Sequence, residues 1–250
     1  MTATHAPDQT LEEAIVRSAV YELCSRALSY PTDAHDAALE RLRSVLDGVW
    51  IGSDATSTAI SDVLGEAAAA ERHDTMRSHG KLFQLIESRD CPPYETAYET
   101  RDVFRMTDVM ADVAGFYAAH GLVIGGVERE RPDHVLAECE FMSFLATKEA
   151  VAIEAGRDDA AEECRRSSAM FLQDHLGRFA EAFGGRAAAL AESPLHAAAG
   201  RLLASWVTDD MDHLEVTPAR LHEPLPLPER DDDACGSCAS PCPVDITPPS

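Results

Sequence analysis

At 250 residues with 45% hydrophobic side chains, the chain can close one substantial core, and two domains are within its length. Against 44 acids stand 21 basic residues, of which only Lys81 and Lys148 are lysines, for a net charge of −23. That balance excludes a nucleic-acid-binding surface, which needs a basic footprint, and suggests a carboxylate-covered, halophilic exterior that self-repels in dilute buffer.

Helical periodicity dominates from the start. Thr10-Leu11-Glu12-Glu13 reads as a capping box, and Leu11, Ile15, Ala19, Leu23 and Ala27 as the apolar stripe of a helix that Tyr30-Pro31 stops. A second helix is predicted after Thr32, with Leu39, Leu42, Val45, Leu46 and Val49 on its buried face. Ile60, Val63, Leu64 and Ala67 mark a third; Met76, Leu82, Phe83 and Ile86 mark a fourth that ends before Cys91. Beyond that loop, Met106, Val109, Met110, Val113, Phe116 and Tyr117 continue the pattern to Gly121, and Gly125-Gly126 breaks it. The helix after Asp133 presents Leu136, Met142, Leu145 and Ala146. Cys164, Phe171, Leu172, Leu176, Phe179 and Phe183 form one long stripe that Gly184-Gly185 is expected to close. Leu195, Leu202, Leu203, Trp206 and Val207 complete the body.

Only Leu122-Val123-Ile124 hints at a strand, so the fold class is all-α: a single-domain helical bundle over residues 8–217. From Pro218 to 250 the composition shifts. Eight of the fourteen prolines lie there, with Asp231-Asp232-Asp233 among them, and this part is expected to be an extended linker and tail. Met1 to Gln9 carries no export signal, and no run approaches the ~18 apolar residues of a membrane span. The seven cysteines are odd in number and scattered, which argues against a secreted disulfide framework and for a cytoplasmic protein.

No Gly-rich phosphate loop, nucleophile elbow or zinc-protease helix is present, so nothing nominates an enzyme. The tail offers a metal reading. Cys235, Cys238 and Cys242-Pro243 match the trailing part of bacterial ferredoxin motifs but lack the leading cysteine. Three thiolates leave a zinc ion or a cubane iron–sulfur cluster one ligand short. Cys91 is the candidate fourth ligand, with His213, His222 or a second protomer as alternatives. A metal there would make the chain an electron-transfer accessory; otherwise the tail is simply reduced and extended.

Two short segments stand out. Cys91-Pro92-Pro93-Tyr94-Glu95-Thr96-Ala97-Tyr98 enters one helical stretch, and Arg131-Pro132-Asp133-His134 opens another. The plain reading is that the prolines end helices, that Tyr94 packs over a turn and that Asp133 is an N-cap. The functional reading is a rigid loop beside a groove. There Tyr94 and Tyr98 supply apolar area, Glu95 and Glu99 face a cationic segment, and the Asp133–His134 pair receives polar peptide groups.

These segments, with Leu82-Phe83, Glu138-Cys139-Glu140-Phe141-Met142 and Phe171-Leu172-Gln173-Asp174-His175-Leu176, resemble the TorD/DmsD/NarJ family of molybdoenzyme chaperones over about residues 11–210. The resemblance implies a TorD-like helical bundle without catalysis or a required cofactor. It implies, as partner, the catalytic subunit of a DMSO-reductase-family molybdoenzyme. It further implies that this subunit's twin-arginine signal peptide, its body or both are held in the cytoplasm until cofactor insertion. It places the peptide site around Tyr94 and Asp133-His134. Asp133 and Glu95 would then take guanidinium groups, with Pro93 fixing the loop and Tyr98 and Phe141 adding apolar surface. Neither nucleic acid nor membrane insertion is expected, and the oligomeric state is a monomer or a domain-swapped dimer. Two features depart from the family pattern: Cys139 stands where many members have leucine, and the cysteine-rich tail has no counterpart.

Overall fold

Long apolar periods become helices wherever a neighbouring helix can take their buried face. The computed structural model describes residues 7–46, 52–83, 90–123 and 131–226, and among these it holds ten helices and no strand. In chain order they are α1 (Pro7–Leu28), α2 (Asp33–Leu46), α3 (Asp54–Ala69), α4 (Arg72–Phe83) and α5 (Thr96–Glu99), then α6 (Val103–Ala119), α7 (Val135–Glu154), α8 (Asp158–Asp174), α9 (Leu176–Leu190) and α10 (Pro194–His213). The all-α expectation therefore holds.

α1 runs along α7, α9 pairs with α10, and α3 and α8 cover α10 and α7 respectively. Between them lies one apolar core in which Tyr21, Met142, Phe171, Phe179, Phe183 and Leu202 are fully enclosed. Among the described residues, no helix is long and apolar enough to cross a membrane.

The stripes differ in detail from the predicted ones. α1 begins at Pro7, a residue suited to a first helical turn, so Thr10 lies inside the helix rather than capping it. Because α1 is flanked by α2, α7 and α10, its buried surface widens to include Val16, Val20, Tyr21 and Cys24, while Ile15 is left half-exposed. α2 buries Leu39, Leu42 and Leu46 but not Val45.

The predicted long stripe from Cys164 to Phe183 is two helices. It breaks at His175, whose backbone (φ −133°, ψ −99°) is not helical. Gly184-Gly185, expected to end the helix, lies within α9. A Cβ on Gly184 would stand 2.5 Å from the Gly200 carbonyl oxygen, and one on Gly200 would stand 2.6 Å from that of Gly184. These two glycines therefore permit the close approach of α9 and α10.

A buried ion network crosses the bundle. Arg17 on α1 donates to Asp210 on α10 at 2.7 Å and to Glu149 on α7 at 2.8 Å. Tyr21 donates to Asp210 at 2.7 Å, and Arg165 of α8 donates to Glu149 at 2.6 Å.

After α10 the chain is extended but does not leave the body. Thr217 exchanges two hydrogen bonds with the Gln173 amide, at 3.0 and 3.1 Å. The Leu221 N–H donates to the Arg178 carbonyl at 2.7 Å and that of Leu225 to the Ala97 carbonyl at 2.8 Å, while Arg101 holds the Leu225 carbonyl. The Pro-rich run read as a linker is thus, through Pro226, a strap laid along α9 and α5.

Candidate functional site

The two singled-out segments meet. Pro92 and Pro93 have no N–H to donate, which keeps the chain extended there. The Pro93 carbonyl accepts from Val135 N–H at 2.8 Å, and Glu95 N–H donates to the Asp133 carbonyl at 2.9 Å. The result is an antiparallel bridge pairing Tyr94 with His134, between the entries of α5 and α7.

The cap of α7 is His134, not Asp133: its Nδ1 accepts from Leu136 N–H at 3.1 Å. Asp133 is turned inward instead. Arg131 grips its carboxylate from Nε (3.0 Å) and from the terminal nitrogen (2.7 Å), and the Thr96 hydroxyl donates to it at 2.7 Å. Such a two-point guanidinium–carboxylate pair is geometrically demanding and strong. The same guanidinium lies 4.2 Å over the Tyr94 ring, whose centroid is 5.2 Å from that of His134 in an edge-on contact.

Glu95 is also internal. One oxygen meets His175 Nδ1 at 3.0 Å and the other accepts from Arg178 at 3.3 Å; Arg178 also holds Glu99 at 2.8 Å. Burial raises the Glu95 pKa, against the pull of His175 and Arg178. Behind it, Glu138 is enclosed with neither carboxylate oxygen hydrogen-bonded, and burial followed by the charges of Glu95 and Asp133 pushes its pKa well above 4.5. Tyr117 closes the layer by donating to the Pro132 carbonyl at 2.9 Å.

The seven residues expected to bind peptide therefore divide. Pro93, Glu95, Tyr98, Asp133 and Phe141 are buried, while Tyr94 and His134 are half-buried and form the rim with Arg131. Tyr98 packs on Phe179, and Phe141 sits between Tyr117 and Phe171 with ring centroids 4.8 Å from each. Glu95 and Asp133 do not stand open to incoming guanidinium groups, because the chain's own arginines already satisfy them. The partners that decide this are Arg131 and Thr96, which stand in the quoted segments with no role assigned to them, and Arg178, which no motif includes; His175 was visible only as part of Phe171–Leu176.

Cys235, Cys238 and Cys242 lie outside the described residues. Cys91 is fully buried, and that burial, opposed by Arg186, pushes its thiol up to about 12, which disfavours the thiolate a metal needs. Among the described residues no group of three or more His, Cys, Asp or Glu is placed to hold a metal ion.

Comparison with known proteins places this arrangement. The model of the nitrate reductase delta subunit family matches residues 25–184, which include both segments of the bridge and the α8–α9 break. A selenate reductase assembly chaperone protein of Thauera selenatis is 33% identical over 75 residues, 30% of this chain and 38% of the relative. A chlorate reductase assembly chaperone protein of Ideonella dechloratans is 34% identical over 68 residues, 27% of this chain and 34% of the relative. The chain thus spans little more than a third of the length of the curated relatives it matches. With the family match covering well over half of its residues, an all-helical body and the bridged motifs at its centre, the chain belongs to the nitrate reductase delta subunit family of NarJ/TorD-like chaperones.

Proposed function

We propose that this protein is an assembly chaperone that acts in the cytoplasm without turnover. It binds the catalytic subunit of a molybdopterin-containing reductase, through its twin-arginine leader, its body or both, and holds it until cofactor insertion. The names of the two relatives, chaperones for selenate and chlorate reductases, favour a client that reduces an oxyanion.

The observation that carries this reading is the Tyr94–His134 bridge. Segments about forty residues apart in sequence are locked together by a layer of buried Asp133, Thr96 and Glu95 with half-buried Arg131, whose hydrogen bonds are made within the chain. That layer fixes the rim without needing a ligand. The rim offers an aromatic face at Tyr94 and an imidazole at His134, the pairing of apolar area and hydrogen-bonding tips that an extended peptide uses. Preorganised in this way, it orders little on binding and keeps more of the contact energy as affinity.

Binding of an Arg-Arg leader peptide, measured by calorimetry, tests the assignment. Tyr94→Ala is expected to weaken it by roughly 1–3 kcal/mol, the scale of losing an aromatic anchor. His134→Asn keeps a good N-cap while removing the ring, so it separates capping from recognition. If both variants fold and bind like the wild type, the site lies elsewhere. If neither leader nor mature subunit binds, the chaperone assignment fails.

A further inference from the structure

In a chain of net charge −23, α6 presents an outer face free of charged residues. At about 100° per residue, Val103, Phe104, Met110, Ala111, Ala114 and Ala118 share that face, while Arg105, Asp108 and Asp112 fall together on the adjoining flank. Val113 and Tyr117 turn into the body. Phe104 is 83% exposed and Val103 71%. Among the described residues, no long helix packs substantially against α6. We propose that this face is the docking site of the chain's own C-terminal tail, with Cys242-Pro243-Val244-Asp245-Ile246 laid along it. This docking is independent of the chaperone reading.

The strap delivers the tail to the face. Leu225 N–H donates to the Ala97 carbonyl at 2.8 Å and Arg101 holds the Leu225 carbonyl, so the strap ends at the loop that enters α6. Residues 227–250 follow and lie outside the described residues. Fully extended, the stretch from Pro226 to Cys242 reaches roughly 50 Å. The 17 residues of α6 are about 26 Å long, so the segment can meet any point of the helix.

The chemistry of the segment matches the face. Cys242, Val244 and Ile246 alternate with Pro243, Asp245 and Thr247, a period of two that gives an extended segment one apolar edge. Pro241 and Pro243 restrict the chain before it docks, which lowers the entropy lost on ordering. Proline-containing extended segments dock where aromatic rings are exposed, and Phe104 supplies such a ring. Beyond it, Ala111, Ala114 and Ala118 lack bulk, so an extended backbone can lie close to the helix.

A second copy of the chain fits the face less well. One helix face of about 26 Å by roughly 10 Å buries on the order of 500 Å² between two copies, less than half of the ~1,200 Å² at which stable interfaces begin. Each copy would also bring a charge of −23. A tethered segment needs less area, because the strap already holds it at high effective concentration.

Amide spectra of the isotope-labelled full chain test the proposal by comparing the wild type with the double variant Val244→Asp, Ile246→Asp. Both substitutions lie in the tail, and unchanged amides in α7 and α10 show that the body is intact. Shift changes are expected at residues 103–118 on going to the variant. Protection of the amides of 244–247 against exchange is expected to be at least about tenfold in the wild type and lost in the variant. Phe104→Ser, at an exposed position, is expected to remove the same protection. Unchanged α6 amides in the double variant, or unchanged tail protection in Phe104→Ser, overturns the proposal. Light scattering that gives two chains per particle, with α6 shifts lost on dilution, makes a second copy the occupant and overturns it as well. So does a face whose amides respond to an added Arg-Arg leader peptide but not to the tail substitutions, an outcome that leaves the chaperone reading standing.

Discussion

Glu138 sits on the buried face of α7 beside Val135 and Met142, with Glu95 and Asp133 close enough to oppose its ionisation. Its pKa in the fold is well above 4.5, so the folded chain keeps the proton at pH values where the unfolded chain has released it. The stability Glu138 contributes is therefore complete below its unfolded pKa and is lost as pH rises toward the folded value. Glu95 is raised too, by burial, and adds a loss of the same sign. Glu138→Gln cannot ionise. Its thermal midpoint is expected to exceed that of the wild type by a margin that grows as pH rises above the ordinary carboxylate range. A margin that does not change with pH would show that ionisation at this position costs the fold nothing.

At the scale of elements, α9 and α10 approach through Gly184 and Gly200, where neither helix has room for a methyl group. Gly200→Ala would place its Cβ 2.6 Å from the Gly184 carbonyl oxygen and 2.7 Å from the Ala188 nitrogen. The helices must then separate, at a cost of roughly 1–3 kcal/mol. Gly185 is the control, because a Cβ there meets nothing within 4 Å. Gly185→Ala should gain up to about 1 kcal/mol from helix propensity alone. Denaturant unfolding checks both, and equal effects would remove the close-approach explanation. A Gly-Gly pair after a long stripe reads as a helix stop in a single chain, and only the facing α10 reveals it as a packing device.

For the whole molecule the governing quantity is a charge of −23 spread over a small body. Interior pairs such as Arg17 with Asp210 and Glu149 are almost completely shielded from solvent, so salt screens them little. Exposed carboxylates repel one another across water, and at molar salt the screening length falls to ~3 Å. The thermal midpoint is therefore expected to be higher in molar KCl than in dilute buffer. Identical midpoints would remove the high-salt reading of the composition. In strong salt the long-range field is screened, so any partner is held by contact hydrogen bonds and apolar burial rather than by net charge.

The sequence by itself determined the helical class, the approximate place of most helices and the family, because apolar period, helix stops and short motifs are local properties of the chain. It also singled out the two segments that form the bridge. It could not tell which of their side chains face outward. Whether Asp133 caps a helix or lies buried depends on Arg131 and on Thr96, 37 residues away in sequence. Whether Glu95 meets solvent depends on His175 and Arg178, 80 and 83 residues away. A carboxylate goes inside only where partners replace its water, and those partners come together only when α5, α7 and the α8–α9 break are packed. The same packing takes Tyr98 and Phe141 into the core and leaves Tyr94 and His134 at the rim.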